Sequence, residues 1–449
     1  MPGEHRSRAD GVAALLRPRS VAIVGARDRS GGWADRIRGN LRRFGYPGPV
    51  FAVNPRHASL WGEPCYPDLA SLPEPADHLV VLLPAPAALE VLRGARRAGT
   101  RSATVFSSGF GGEPGGLLGQ LRDVAAVDGL AISGPNCLGN ISVPASLVTT
   151  TDSRLAELRE GPVAVVGQSG GIVTAFNRVL VDRGVGTRYV VSSGNETCLT
   201  TADYLRFFAR DDGVRVALAF VESIRDRDAF FAACADMTSA GKRVVVLKAG
   251  QTPQSRQAAA SHTGALAGSF AAFSAVAEQQ GIICVTGMDL AVEACEYLSR
   301  VTAPRGPGIA AVTVSGGVRE LLLDGAERQG ATLAALGGET HRRLHEVLGD
   351  GIEISNPLDS GYAGLSDPAT LVRCVEAMAA DPAVGVVLLQ EELLGRPEPG
   401  KERTLRLFDS LLPGGTVGSA GTPVALFSMA SVNVTEHGRS LRGRLGNLA

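Results

Sequence analysis

His262 stands in the run Ala258-Ala259-Ala260-Ser261-His262-Thr263-Gly264-Ala265-Leu266-Ala267-Gly268, among residues that are almost all small or hydroxylic. An imidazole in that setting is neither packed under bulk nor crowded by charge, which leaves it open to acid, base or nucleophilic work. The run follows an apolar strand candidate, Val244–Leu247, closed by Lys248. Loops after strands are where α/β proteins place working residues. A loop of small residues also lets a modified histidine move between sites. A surface loop with an incidental histidine is the plain alternative, and the rest of the chain weighs against it.

Two other runs are built for anions. Pro162-Val163-Ala164-Val165-Val166-Gly167-Gln168-Ser169-Gly170-Gly171 agrees in type with Gly308-Ile309-Ala310-Ala311-Val312-Thr313-Val314-Ser315-Gly316-Gly317. Each reads as an apolar strand, a Ser-Gly-Gly turn and an amphipathic helix, Ile172–Asp182 in the first and Val318–Gln329 in the second. Glycine lets backbone approach closely, the serine hydroxyl donates, and the helix N-terminus offers free N–H groups and a positive dipole end. Ser169, Gly170 and Gly171, and in the second copy Ser315, Gly316 and Gly317, are therefore candidate phosphate-binding residues. A histidine that accepts a phosphoryl group needs its other ring nitrogen held by an acceptor. Glu222, directly after the strand Val214–Val221, is the leading candidate, and Glu196 in Ser192-Ser193-Gly194-Asn195-Glu196 competes with it.

The N-terminal part has a strand-to-helix turn, Val21-Ala22-Ile23-Val24-Gly25-Ala26-Arg27-Asp28-Arg29, without GxGxxG. That argues against ordinary NAD binding, while Arg27 with Gly31-Gly32 suits a nucleotide diphosphate. Asn54-Pro55, Leu83-Pro84-Ala85-Pro86 and Ser107-Ser108-Gly109-Phe110 converge on the same edge, at the carboxyl ends of strands where ligands bind. Gly134-Pro135-Asn136-Cys137-Leu138-Gly139-Asn140 is a rigid turn that presents the Asn136 amide, able to donate and to accept. Cys137 has no histidine near it in sequence and makes a poor nucleophile candidate. His341 and His345 are four apart on a helical stretch that lacks the glutamate of zinc hydrolases, so no metal site is expected.

Strand-like and helical runs alternate along the whole chain. Ser20–Val24, Val50–Val53, His78–Leu83 and Ser102–Phe106 are separated by helices such as Trp33–Phe44 and Ala87–Ala98. Val163–Val166, Tyr189–Val191, Val214–Val221 and Val244–Leu247 repeat the rhythm, and a third block follows the linker Ala303-Pro304-Arg305-Gly306-Pro307-Gly308. This βαβ pattern predicts parallel doubly wound sheets. We expect an α/β protein with a Rossmann-like domain over 1–145 and two related flavodoxin-like doubly wound domains over 146–303 and 304–449.

The 449 residues are 45% hydrophobic and 20% charged, which suits folded domains with real cores. Net charge is −1, and no basic stripe points to nucleic acid or a membrane surface. The arginines near the ends (Arg17, Arg19; Arg439, Arg442, Arg444) read as solvated faces. Fifty-six glycines and 5% aromatics fit many tight turns close to ligand. Seven scattered cysteines without a CxxC pair indicate a reduced, cytoplasmic setting. Neither a signal peptide nor an apolar run long enough for a bilayer is apparent.

Gly134–Gly139, Gly167–Gly171, Ser192–Asn195 and Ser261–Gly268 occur in that order. With these motifs the chain resembles the NDP-forming acyl-CoA synthetases, the superfamily of succinyl-CoA synthetase and ADP-forming acetate–CoA ligase. The resemblance covers nearly the whole chain, and the SHTGALAG match carries most of its specificity. It implies a CoA-binding domain first, with Gly25, Arg27, Asn54, Pro84 and Ser107 toward CoA, and a phosphate-binding turn over Gln168, Ser169, Gly170 and Gly171; Asn136 joins the CoA-binding candidates on its own amide chemistry. It implies that acyl-CoA and phosphate give an acyl phosphate and CoA, and that His262, supported by Glu222, takes the phosphoryl group. The group then passes to ADP on an ATP-grasp module. No stretch is left for that module, so ATP/ADP and Mg are expected on a separate beta-type subunit of an oligomer. Truncation, or a member that has given up nucleotide-dependent ligation, are the alternatives. A CoA-dependent acyltransferase and an acyl-CoA-binding protein without phosphoryl transfer remain competing readings.

Overall fold

The computed structural model describes residues 10–111, 115–257, 269–301, 306–392, 396, 406–407, 421–429 and 435–437. Three sheets are formed. The first contains β1 (Val21–Val24), β2 (Val50–Val53), β3 (Ser59–Leu60), β4 (Glu63–Tyr66), β5 (His78–Val81), β6 (Ser102–Val105) and β7 (Ala131–Ser133), in the order β3-β4-β2-β1-β5-β6-β7. Without the antiparallel edge strand β3, the remainder is parallel and has the doubly wound order in which strand order reverses between β1 and β5. The strands β1 and β5 are buried at every position. Such runs need helices on both faces, which is why they read as continuous apolar stretches.

The second sheet contains β8 (Asn140–Ser142), β9 (Leu147–Val148), β10 (Val163–Gly167), β11 (Thr187–Ser192), β12 (Val216–Val221), β13 (Arg243–Lys248) and β14 (Ile283–Val285), ordered β14-β13-β12-β10-β11-β8-β9. From β10 onward this is the flavodoxin-like order, with its reversal between β10 and β12. The hairpin β8–β9 is added antiparallel to β11, Tyr189 facing Ser142 and Val191 facing Asn140. This sheet therefore begins before residue 146, where a domain start was expected.

These two sheets belong to one compact unit, Met1–Val181 with Val185–Cys295. Within it the N-terminal helical residues 10–16 send Val12, Leu15 and Leu16 into the core of the second sheet, beside Tyr189, Phe207 and Phe208. Arg17 is not merely solvated. Its guanidinium bonds the Tyr189 hydroxyl and the Asp211 carboxylate, and Arg188 Nε reaches the same carboxylate at 2.9 Å. Arg19 likewise pairs with Asp77 at 2.9 Å.

The other unit, Asp182–Gly184 with Glu296–Ala449, holds a parallel sheet of β15 (Gly308–Thr313), β16 (Leu358–Asp359), β17 (Val384–Gln390) and β18 (Val424–Phe427), ordered β16-β15-β17-β18. Its order matches that of β11-β10-β12-β13 in the second sheet. Among the described residues no helix is long and apolar enough to cross a membrane.

Candidate active site

In doubly wound sheets the crevice opens where strand order reverses, at the carboxyl ends of the two central strands. In the second sheet those ends are Gly167 and Val221. Gln168 to Gly171 follow the first, and Glu222 follows the second. The helix Gly170–Asp182 starts at the turn, and its first N–H groups have no acceptor within the helix. Gly170 must be glycine, since a Cβ there would sit 2.6 Å from Leu138 Cγ, whereas Gly171 faces open space. The helix is seated by Val173, Phe176, Leu180 and Val181.

Gln168 is a brace. Its amide oxygen accepts the N–H groups of Glu222 at 2.8 Å and Ser223 at 2.9 Å. Its amide nitrogen donates to the Ser223 carbonyl at 2.6 Å. The side chain expected to face phosphate is thus committed to the neighbouring strand end. Lys248, at the end of β13, donates to the carbonyls of Glu222 and Ala249, both at 2.8 Å. It is buried, and burial pushes its ammonium below the ordinary lysine value while the Glu222 charge opposes that shift.

Glu196 is fully enclosed and its backbone is left-handed, with φ of 50°. Burial pushes its carboxyl up, and the Thr201 hydroxyl at 2.5 Å, the Ser193 hydroxyl at 2.7 Å and Gln168 pull against that. Glu196 ties the Ser192–Asn195 turn together, whereas Glu222 sits at the crevice.

The remaining motifs interlock around this point. Ser193 N–H donates to the Gly167 carbonyl at 2.9 Å, and Leu138 N–H to the Ser192 hydroxyl at 3.0 Å. Asn195 N–H donates to Pro135 O at 2.9 Å, and the Asn136 amide donates to Asn195 Oδ1 at 3.2 Å. Arg225 reaches the Asn195 carbonyl at 2.9 Å. Cys137 is buried, with its thiol donating to Val105 O and pushed up to about 12 by burial. That is a core thiol and no nucleophile.

At the first sheet, Gly25 and Asn54 line a cavity of about 790 Å³ with Val24, Val53 and Leu83. Gly25 has φ of 85°, and a Cβ would meet Leu83 at 2.8 Å. The Asn54 amide donates to Ala26 O at 2.7 Å, which fixes the turn after β1. Pro84 opens the helix Ala85–Ala95 beside this cavity, and Arg27 is exposed on the turn. Ser107 lies one strand further on. Its carbonyl accepts Asn136 N–H at 3.0 Å, and its buried hydroxyl has no partner among the described residues.

The second Ser-Gly-Gly turn lies in the other unit, before the helix Gly316–Gln329. Thr313 Oγ1 accepts Ser315 N–H at 3.1 Å and donates to Gln390 Oε1. The Asp359 carboxylate lies 3.3 Å from where a Gly316 Cβ would be.

His262 and its whole run, 258–268, lie outside the described residues, as do Arg439, Arg442 and Arg444. Sequence reasoning passed over Lys248 and the bracing role of Gln168. The signal for the former was present, a single lysine closing the apolar strand Val244–Leu247.

Comparison with known proteins agrees with this architecture. Residues 19–142 match a CoA binding domain, and residues 160–298 match the succinyl-CoA ligase like flavodoxin domain. A trans-feruloyl-CoA synthase from an unknown prokaryotic organism is 32% identical over 394 residues, 86% of this chain and 55% of that protein. The ADP-forming acetate–CoA ligase I of Archaeoglobus fulgidus is 34% identical over 378 residues, 83% of this chain and 54% of that protein. The chain thus spans about half the length of these two curated relatives. The alpha subunit of the ADP-forming acetate–CoA ligase I of Pyrococcus furiosus is 32% identical over 329 residues, 72% of this chain and 71% of that subunit. Among solved structures, the dinucleotide forming acetyl-coenzyme A synthetase 1 of Candidatus Korarchaeum cryptofilum, in complex with phosphate and ADP, aligns with a TM-score of 0.82 at 25% identity over 97% of this chain and 96% of that one. With its CoA-binding and succinyl-CoA-ligase-like domains in this order, the chain belongs to the family of the ADP-forming acetate–CoA ligases.

Proposed function

We propose that this chain is the CoA-binding, phosphohistidine-forming part of an NDP-forming acyl-CoA synthetase. The observation that carries this is the pairing of an open Ser-Gly-Gly helix start with Glu222, whose peptide is braced, at the reversal point of the second sheet. Acyl-CoA is held along the first sheet by Gly25, Asn54 and their neighbours, with the unpartnered Ser107 hydroxyl and the Asn136 amide toward the thioester end. Phosphate oxygen attacks the thioester carbonyl carbon, the carbon–sulfur bond breaks, and CoA leaves as thiolate. The His262 imidazole then attacks the phosphorus of the acyl phosphate and the carboxylate departs. Glu222 takes the imidazole N–H, which fixes the tautomer and supports the charge that develops. Backbone N–H groups at Ser169–Gly171 hold the phosphoryl oxygens. We assign Ser315–Gly317 a second phosphoryl-holding role.

The phosphoryl group is then handed to ADP, with Mg, on an ATP-grasp beta-type partner, so the working form is an oligomer. In reverse the assembly activates a small carboxylic acid. Relatives named for acetate, 4-hydroxybutyrate and trans-ferulate set the acyl groups to try. None of the seven cysteines, all of them among the described residues, is in a disulfide, which supports a reducing, cytoplasmic setting.

The test is phosphoenzyme formation by the full chain with radiolabelled phosphate and acetyl-, 4-hydroxybutyryl- or feruloyl-CoA. An acid-labile, base-stable label is expected, and His262→Asn abolishes it while calorimetry still shows CoA binding. Label that survives His262→Asn overturns the reading. CoA binding without label from any of the three thioesters favours an acyltransferase or acyl-CoA-binding protein.

A further inference from the structure

Glu222 is gripped from both sides. Its N–H is accepted by Gln168 at 2.8 Å, and its carbonyl accepts Lys248 Nζ at 2.8 Å. The two gripping residues come from the ends of β10 and β13, the strands on either side of β12. The regular ladder stops just before this point, with Gly167 opposite Phe220 and Val221 opposite Lys248. Beyond a ladder, backbone polar groups normally turn to water or to turn partners. Here two side chains extend the pairing by one residue on each flank, and that residue carries the crevice carboxylate.

A lysine is an expensive way to satisfy two carbonyls. Desolvating an ammonium opposes folding, so lysine is almost never buried without a compensating partner. Lys242, just before β13, is buried in the same way on the carbonyls of Phe208 and Asp211, whereas the carbonyls of β12 that precede Glu222 need no cation. Phe220 O, on β12 itself, accepts the Gln168 N–H, and Val221 O accepts Ala249 N–H. Of the two carbonyls that Lys248 takes, one is its neighbour Ala249 and the other, across the sheet, belongs to the residue that carries the crevice carboxylate.

We propose that Lys248 and Gln168 are positioning residues for Glu222, holding its peptide on both sides so that its carboxylate is aimed from fixed backbone. The inference rests on the phosphohistidine reading and deepens it. Neither residue touches the reacting atoms, and both act through Glu222.

A double-mutant cycle tests it. The full chain is labelled in single turnover with radiolabelled phosphate and whichever of the three acyl-CoAs labels wild type fastest. Lys248→Met should slow labelling about 10- to 100-fold, the range for losing a partner that orients a functional group, with CoA affinity unchanged. In a Glu222→Gln background the same substitution should cost less than about twofold, because contributions that run through one group do not add. Lys248→Gln, which keeps an amide N–H donor group without the charge, should recover part of the rate. Equal fold-losses in both backgrounds, or wild-type labelling by Lys248→Met, would overturn the inference while leaving the reading intact. If Glu222→Gln labels like wild type, or wild type does not label, Glu222 has no task to be positioned for and both fall. Should thermal melting show that Lys248→Met is unfolded, Gln168→Met removes the opposite grip and enters the same cycle.

Discussion

The two Ser-Gly-Gly turns are the same device in sequence and different devices in structure. Both follow the first strand of a flavodoxin-like sheet, and in both a glutamine bridges the strand-order reversal, but from opposite sides. In the first, Gln168 leaves β10 and takes two backbone N–H groups beyond β12. In the second, Gln390 ends β17 and reaches back to the Thr313 hydroxyl on β15. Two N–H groups on one oxygen fix a peptide, whereas a hydroxyl can rotate. The helices differ in the same sense. Gly170–Asp182 buries Val173, Phe176, Asn177, Leu180 and Val181, while Gly316–Gln329 buries Val318 and leaves Leu321 and Leu323 exposed. A strand–SGG–helix motif specifies a turn. What surrounds it decides how firmly the turn is held.

The largest effect that could break this contrast is on stability. Phe176 is completely buried, so Phe176→Ala should cost about 3–5 kcal/mol. Leu321 is 56% exposed, and Leu321→Ala should stay within about 0.5 kcal/mol. Chemical denaturation of both variants checks this, and comparable losses would mean that the second helix is seated as firmly as the first.

A smaller effect differs in sign. An alanine Cβ at position 170 would lie 2.6 to 2.8 Å from three Leu138 atoms, one of them Leu138 Cβ, which cannot swing away. Gly170→Ala should therefore destabilise by about 1–3 kcal/mol, as overpacking does. At the matching Gly316 the nearest atom is a carboxylate oxygen of Asp359 at 3.3 Å, the far end of a side chain that can give way. Gly316→Ala should be neutral or stabilise by up to about 1 kcal/mol, the helix preference of alanine over glycine. Thermal melts that move both variants the same way would remove this distinction between the turns.

This contrast also marks what the sequence could tell. Apolar runs such as Val163–Val166 and Val214–Val221 place buried parallel strands within a residue or two of where they lie, because a strand covered on both faces has little other composition open to it. The position of Glu222 followed from the same logic. The β8–β9 hairpin did not, since Asn140–Ser142 is too short and polar to read as a strand and depends on pairing with β11. Gln168 looked like a phosphate donor because the motif names residues and not where they point. Lys248 and the docking of residues 10–16 on the second core are tertiary facts, with contacts far away in sequence.

The least effect, and the closest match between the two domains, lies at a pair of aspartates. Asp211 precedes β12 and Asp381 precedes β17, the strands across the order reversal from β10 and β15, and each accepts the N–H two residues on at 2.9 Å, from Gly213 and Ala383. For Asp381, burial pushes the carboxyl up, but the Thr340 hydroxyl and the Gly337 and Ala383 N–H groups outweigh it and leave it below the usual value. Asp211 is lowered by the same balance, with Tyr189 and Arg188 as its donors. The sign follows from linkage. A carboxyl with a depressed folded-state pKa contributes stability that is present above its unfolded value of 3.8 and is lost as pH falls through the folded one. Asp381→Asn should therefore melt below wild type at neutral pH, and the gap should close in acid below that value. Asp211→Asn should show the same closing with a wider starting gap, because two arginines and a tyrosine share its carboxylate. Circular dichroism melts across pH 2 to 7, with a pH-independent gap for either variant as the contrary result, decide whether these aspartates work as charges. If Asp381→Asn opened the wider gap, the ranking of the first domain as the more firmly tied would be reversed at this position.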